Sequence, residues 1–174
     1  MAANKIVTYI KGVSRIFRLE SFTADDRPLF ERLVYNNAVM SMNMGRTFTE
    51  EEADFFFGMI LDGAARDDVF RYCKVYLSDG GEFIGTCSLG LNEEYDAAEI
   101  EYMLLPEFWR KGYGTALASE LTALAEKHTG STRAVAIIAP DNVFSRRILE
   151  KLGFVSEKVY TNPDGGESEL MLKS

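Results

Sequence analysis

A glycine-rich turn in the second half of the chain has the residues best suited to binding a phosphate. Gly112 and Gly114 flank Tyr113, and two cations, Arg110 and Lys111, come directly before them. Leucines at helical spacing follow, so the turn leads into a helix. Glycines let the main chain approach a ligand closely, and the unpaired amides and dipole at a helix start attract an anion. These residue types in this order predict a phosphate site.

Three kinds of phosphate site place their glycines and lysine differently. A dinucleotide-binding turn has a third glycine where this chain has Leu117. A Walker A loop has its lysine after the second glycine, whereas Lys111 precedes the first. The pyrophosphate of coenzyme A is the third candidate. A glycine turn without any ligand is the alternative, because short glycine motifs have low specificity.

Two carboxylates on one predicted strand could take a proton from a substrate. Glu99 and Glu101 share one face of the strand predicted at 97–105, about 7 Å apart by strand geometry. Two like charges at that separation, partly covered by a ligand, raise the pKa of one carboxyl toward the range of a general base. The alternative is a pair of exposed carboxylates on the wet face of a strand.

Hydrophobic period and turn residues predict the elements that position these groups. Strands are expected at 14–19, 69–77, 82–91, 97–105, 132–139, 154–160 and 168–172. Helices are expected to begin at Thr23, Thr47, Gly112 or Tyr113, and Asn142. The second helix is expected to end at Asp62-Gly63, and residues 36–46 are expected to be irregular. This order predicts a mixed sheet with helices packed against it.

The segment 36–57 is the candidate pocket for a second substrate. It is rich in thioether and aromatic side chains that could line such a pocket, namely Met40, Met42, Met44, Phe48, Phe55, Phe56 and Phe57. A plain hydrophobic core explains the phenylalanines equally well.

The composition is that of one globular domain of 174 residues. A net charge of −8 argues against nucleic acid or an anionic membrane as a partner. No apolar run approaches the roughly 20 residues of a membrane span, and the first residues lack the apolar core of a signal peptide. Cys73 and Cys87 are expected to be buried thiols in a reducing cytoplasm. Between Val75 and Trp109 there is no Lys or Arg but eight acidic residues, which favours a cationic substrate.

A second motif lies downstream of the glycine turn, from Ala139 to Phe154, and reads APDNVFSRRILEKLGF. The two motifs in this order and spacing resemble the GNAT superfamily of acyl-CoA-dependent N-acetyltransferases. The stretch from Phe108 to Gly114 looks like the branch that acetylates N-terminal Ala or Ser of ribosomal proteins. The resemblance covers residues 82–154. It implies an α/β fold in which about four helices flank a mostly antiparallel sheet of six to seven strands, as a single domain over 1–174.

The activity that this resemblance implies is direct transfer of an acetyl group from acetyl-CoA to a primary amine. The amine would belong to a protein N-terminus or to a small molecule, and no metal is implied. The pyrophosphate would be bound by the backbone of the glycine turn, at Arg110, Lys111, Gly112, Tyr113, Gly114 and Thr115. The pantetheine arm would lie between two splayed strands, one ending at Leu105 and the other at Ala139.

Further residues acquire roles from the same resemblance. An amide near Met103 or Leu104 would face the thioester oxygen. Asn142 would reach the pantetheine arm or a water beside it, or would simply cap a helix. Ser145 would face the sulfur as a proton source, or would be a small residue at a packing contact.

The choice of general base also follows from the family. Glu99 matches the strand position where some members keep a catalytic glutamate, so Glu99 is the first candidate and Glu101 the second. Leu149 stands where many relatives have a tyrosine that serves as general acid. This departure keeps a non-catalytic acyl-CoA-binding sensor open as the alternative function, and a longer acyl donor is a second alternative. A cytoplasmic monomer or homodimer is expected, and the acceptor amine is not identified.

Overall fold

The structure is a computed structural model that describes residues 16–65, 72–129 and 132–174, with only the backbone of His128 and Thr129. The strands are β1 Phe17–Ser21, β2 Tyr72–Leu77, β3 Phe83–Asn92, β4 Ala97–Leu104, β5 Ala134–Ile138, β6 Val155–Thr161 and β7 Glu167–Lys173. The helices are α1 Arg27–Val34, α2 Asn37–Ser41, α3 Glu50–Ala65, α4 Tyr113–Thr129 and α5 Val143–Lys151. Short 3-10 turns occupy Ala24–Asp26 and Pro106–Phe108. The expected strand starts at 14 and 69 lie outside the described residues.

The strands form one seven-stranded sheet in the order β1-β2-β3-β4-β5-β7-β6. The pair β4–β5 is parallel, and the other five pairs are antiparallel. The predicted mixed, mostly antiparallel sheet is therefore confirmed. Five α-helices accompany it within the described residues instead of about four, because one short helix was not expected.

The parallel pair opens soon after it begins. Pairing between β4 and β5 is confined to Ala98 with Ala134 and Glu99 with Val135. Beyond these two pairs the strands diverge, while β4 stays paired with β3 as far as Leu104. The divergence leaves a gap in the middle of the sheet, which is where the candidate site lies.

The unexpected helix is α2, in the segment that the sequence led us to expect as irregular. Asn36 caps it, since its side-chain oxygen accepts from the amides of Ala38 and Val39 at 3.0 and 3.3 Å. Val39 and Met40 are buried and hold the helix against the core. The sequence does not predict this helix, because five residues are too few to show a recognisable helical periodicity.

Helix α3 also differs from the expectation. It continues through Gly63 to Ala65, because the glycine keeps ordinary helical backbone and tertiary packing outweighs its low propensity. Its buried positions are Ala53, Phe57 and Ile60, whereas Phe55, Phe56 and Met59 are exposed. A single stripe of the helix faces the sheet, so the neighbouring aromatic residues turn outward.

A buried ion pair joins the first helical layer to the sheet. The Lys74 ammonium on β2 is 5% exposed and donates to the Asp26 carboxylate at 2.7 Å, with Glu20 at 3.6 Å. Burial raises the pKa of Asp26, but hydrogen bonds from Lys74 and Thr23 outweigh it, so the net pKa lies below its ordinary value. The pair fixes the 3-10 turn that precedes α1 onto the sheet.

In the described part of the chain, none of the helices combines the length and the apolar composition that crossing a bilayer requires.

Candidate active site

The glycine turn has the backbone that its residue types predicted. Gly112 has a φ of 85°, in the left-handed region that favours glycine, and Arg110 has a φ of 58°. The first bond of α4 joins the Ala116 amide to the Gly112 carbonyl at 3.1 Å, so the preceding amides of the first turn have no helical acceptor. A Cβ added to Gly114 would lie 2.9 Å from the Ile148 Cδ1 atom. The turn therefore presents free amides where α4 packs closely against α5.

Side chains around the turn fasten it to the end of β4 and to α5. The Trp109 indole donates to the Leu104 carbonyl at 2.7 Å. The Arg110 guanidinium lies 5.6 Å from the centre of the exposed Phe144 ring on α5. These contacts orient the turn along the gap between β4 and β5.

The backbone amides and carbonyls of β4 point alternately toward β3 and toward β5 along the strand. The Leu105 amide donates to the Ile84 carbonyl on the β3 side at 2.9 Å. Successive residues of a strand turn their backbone groups to opposite sides, so Met103 shares the β3 side, whereas Ile100 and Tyr102 face the gap. Met103 and Leu105, two of the residues expected at the cofactor, thus direct their backbone groups mainly at β3. Ile100 and Tyr102, which face the gap, were not among the expected residues.

A cavity of about 250 Å³ occupies the gap. Its described lining comes from α2, α3, β2, β3, β4, β5 and α5 and from the segments that follow α2 and precede α5. The lining residues are Met40, Asn43, Met44, Phe48, Phe56, Tyr72, Thr86, Cys87, Ile100, Glu101, Tyr102, Met103, Ala136, Ile137, Ile138, Asn142, Ser145 and Leu149. Four consecutive residues of β4 are among them, although strand neighbours face opposite sides. The cavity therefore passes through the sheet where the strands diverge.

Glu101 is held at the cavity wall by two hydroxyl groups. Tyr72, Ser88 and Glu101 occupy paired positions on β2, β3 and β4. The Tyr72 hydroxyl makes a short hydrogen bond to Glu101 Oε2, and Ser88 Oγ donates to the same oxygen at 3.1 Å. The pKa of Tyr72 is raised by burial and by the charge of Glu101. Neither hydroxyl contacts Oε1, which leaves this oxygen for a ligand.

Glu99 lies beside this arrangement but does not line the cavity. Its Oε2 accepts from the Asn92 amide nitrogen at 2.8 Å. Burial raises the pKa of Glu99, the hydrogen bond from Asn92 lowers it, and the nearby charge of Glu101 raises it, so the net pKa lies above its ordinary value. The two predicted carboxylates are thus neighbours, and Glu101 is the one that reaches the cavity.

Asn142 and its neighbours fix the start of α5 at the cavity. Asn142 is 6% exposed, its oxygen accepts from the Ser145 amide at 3.1 Å, and its nitrogen donates to the Met42 carbonyl at 3.0 Å. Arg146 donates to the buried carboxylate of Glu169 at 2.8 Å and to the Pro140 carbonyl at 2.7 Å. Asn142 is therefore a helix cap that also ties α5 to the segment after α2.

Tyr102 is a second residue that sequence reasoning missed, because it shares a strand face with the core residues Ala98 and Ile100. Its hydroxyl is buried and has no hydrogen-bond partner of ordinary geometry within the described residues. Burial raises the pKa of Tyr102 to about 12, although the nearby Ser145 acts to lower it. A phenol on an otherwise apolar strand face was the available signal, because a buried tyrosine hydroxyl normally finds a partner.

Cys73 and Cys87 face each other on β2 and β3 as buried cysteines that are not joined by a disulfide. Burial raises the pKa of the Cys87 thiol well above its ordinary value, although Cys87 lines the cavity. A thiol in this state is a poor nucleophile.

Comparison with known proteins identifies the fold. Residues 17–155 match the acetyltransferase (GNAT) domain. Over 82 residues the chain is 35% identical to the uncharacterized N-acetyltransferase YoaA of Bacillus subtilis (strain 168), covering 47% of this chain and 46% of that protein. The alignment thus spans about half the length of this curated relative.

Two solved structures share the fold over most of both chains. A spermidine N-acetyltransferase from Vibrio cholerae, in complex with CoA and spermine, is 18% identical, with 92% of this chain and 96% of that chain covered at a TM-score of 0.71. An acetyltransferase from Salmonella typhimurium that modifies the N-terminal serine of ribosomal protein L7/L12 is 18% identical over 92% and 96%, with a TM-score of 0.72. Identities this low show the fold alone.

The divided sheet with the amide-lined turn at its gap is therefore the fold of the acetyltransferase (GNAT) class. The chain belongs to the GNAT acetyltransferase family.

Proposed function

We propose that the protein transfers an acetyl group from acetyl-CoA directly to a primary amine. The observation that carries this proposal is the cavity at the β4–β5 gap. It brings a carboxylate oxygen without a protein partner and a buried, unpartnered phenol into one space. A base for the amine and a proton donor for the leaving sulfur are the two groups that such a transfer uses.

The cofactor side of the proposal rests on the turn and the gap. The free amides of the turn, with the charges of Arg110 and Lys111, suit a pyrophosphate. The unpaired edge of β4 at Ile100 and Tyr102 suits the amide groups of a pantetheine arm, in place of the missing β5 partner. Acetyl-CoA, when bound, supplies an acyl group activated as a thioester.

The acceptor amine has to lose a proton, because an ammonium cannot attack. Its ordinary pKa is about 8 for an α-amine and about 10.4 for a lysine-type amine. We propose that Glu101 takes this proton on Oε1, because Glu101 lines the cavity and its Oε2 already accepts hydrogen bonds from Tyr72 and Ser88. Glu99, the first candidate from the sequence, becomes the second candidate because it lies outside the cavity. Its raised pKa is the reason to keep it as a candidate.

The departing sulfur needs a hydrogen-bond donor, and Leu149 lines the cavity without one. The Tyr102 hydroxyl stays protonated at neutral pH and has a proton to share. Ser145 lies beside it and was the candidate from the sequence. The amide of Asn142 already bonds the Ser145 amide and the Met42 carbonyl, which favours Tyr102 and Ser145 over a water held by Asn142.

The test is the release of free thiol from acetyl-CoA by the purified protein with a panel of primary amines. We expect release that depends on the amine, and a loss of about 10²-fold in kcat for Glu101→Gln, with the dissociation constant for CoA unchanged. The matched variant Glu99→Gln tests which of the two carboxylates takes the proton from the amine. CoA binding without thiol release for any amine would instead support the non-catalytic acyl-CoA sensor, and competition among acyl-CoAs tests a longer donor.

A further inference from the structure

The described wall of the cavity carries little charge. Among the described residues that line it, Glu101 is the one that carries a charge. The remainder are aliphatic, aromatic or thioether side chains and a few neutral polar groups. A positive charge that enters the cavity therefore has Glu101 as its single ionic partner on the described wall. Tyr72 and Ser88 already donate hydrogen bonds to Oε2, one of the two oxygens of Glu101.

The mouth of the cavity on the α3 side is apolar. Met44 is 44% exposed and Phe56 is 40% exposed, and both line the cavity. The Phe56 ring stacks on Phe48, with centres 4.9 Å apart. This rim exposes apolar surface that a substrate can cover, and removal of apolar surface from water favours binding.

We propose that the acceptor is a primary amine with a single positive charge on an apolar or aromatic body. This inference rests on the proposed acetyl transfer. The ammonium lies at Glu101 Oε1, and the apolar body lies against Phe48, Phe56 and the methionines. A second ammonium on the same chain meets no carboxylate on the described cavity wall, so a polyamine buries an unpaired charge. An amine with a small polar body leaves the rim uncovered.

The first experiment compares hexylamine with 1,6-diaminohexane, which have the same length and differ by one charge. We expect kcat/KM for hexylamine to be at least about tenfold higher, because the diamine desolvates a second ammonium. We likewise expect a higher kcat/KM for peptides that begin with Met-Phe than for peptides that begin with Ser-Ala. Equal or better rates with the diamine and the Ser-Ala peptide would overturn the inference and leave acetyl transfer intact. Absence of thiol release with every amine would overturn both.

The second experiment removes one apolar side chain inside and one outside the cavity, on the same helix. Phe56→Ser is expected to raise KM for hexylamine about tenfold, with the dissociation constant for CoA unchanged. Met59→Ser is the control, because Met59 is 54% exposed and does not line the cavity, and its KM is expected to stay at the wild-type value. Equal effects of the two substitutions, or no effect of Phe56→Ser, would contradict the placement of the apolar body.

Discussion

Glu99 and Glu101 lie two residues apart on one face of β4, yet their surroundings differ. Glu101 lines the cavity, and its Oε2 accepts hydrogen bonds from two hydroxyl groups. Glu99 has one amide donor and a raised pKa. The arrangement favours Glu101 for the proposed contact with substrate, whereas the pKa of Glu99 is raised by burial and by the charge of its neighbour.

The raised pKa of Glu99 makes a prediction about stability. A carboxyl whose folded pKa exceeds its unfolded value of 4.5 costs folding free energy when it is ionised. The cost is present above the folded pKa and absent below the unfolded value, where both states are protonated. Glu99→Gln, which retains an oxygen for Asn92, is therefore expected to increase the free energy of unfolding at pH 7. Urea denaturation at pH 7 and pH 4 checks this, and a variant less stable at pH 7 would contradict it.

The hydroxyl of Tyr102 is the proposed proton donor, and its burial makes a prediction about stability. An unpartnered buried hydroxyl costs about 1 kcal/mol, so Tyr102→Phe is expected to raise the free energy of unfolding by about that amount. The same change is expected to lower kcat by about tenfold or more, with CoA affinity retained, because the sulfur loses its proton donor. Denaturation and steady-state kinetics on one sample check both parts. A drop in stability would show that the hydroxyl has a partner.

At the scale of elements, the turn before α4 and the divergence of β4 from β5 make the site together. The turn supplies amides that have no helical acceptor. The divergence supplies an unpaired strand edge and the space beside it. Trp109 connects the two, because its indole bonds the carbonyl at the last residue of β4.

The left-handed conformation of Gly112 can be tested against a matched glycine. Gly165 lies in the turn between β6 and β7 with a φ of 88°, against 85° for Gly112, and a Cβ at either position meets no atom within 4 Å. Both Gly112→Ala and Gly165→Ala are expected to cost about 1 kcal/mol of stability. CoA affinity, measured by calorimetry, is expected to fall about tenfold for Gly112→Ala alone. Unchanged affinity in that variant would contradict the role of the turn.

At the scale of the whole molecule, the Lys74–Asp26 pair holds the α1–α3 layer on the sheet that carries Glu101. Asp26→Asn leaves a buried ammonium with only the more distant Glu20, so a loss of about 3 kcal/mol is expected at pH 7. The folded pKa of Asp26 is lowered, so the stabilisation is present above its ordinary value of 3.8 and is lost as pH falls through the folded pKa. Denaturation at pH 7 and pH 3 measures the difference, which is expected to shrink at pH 3. A constant difference would contradict an ionic origin.

The sequence alone predicted the seven strands along the chain, the glycine turn and the helix cap at Asn142. These features depend on neighbours a few residues away, through the period-2 pattern of strands and the left-handed preference of glycine. It did not reveal α2 or the outward turn of Phe55 and Met59. Those depend on which stripe of a helix meets the sheet, and that is a contact between distant segments.

The amino-acid pattern by itself determined the family, the mixed sheet and the glycine turn, together with the two carboxylates of one strand face. Only the tertiary structure decided which carboxylate lines the cavity. The strand period places Glu99 and Glu101 alike, but the pairing of β4 with β5 ends at Glu99 and the cavity begins beyond it. Because Tyr102 lies beyond the same boundary, it lines the cavity instead of packing in the core. Where two strands part is set by packing across the sheet, which local sequence does not encode.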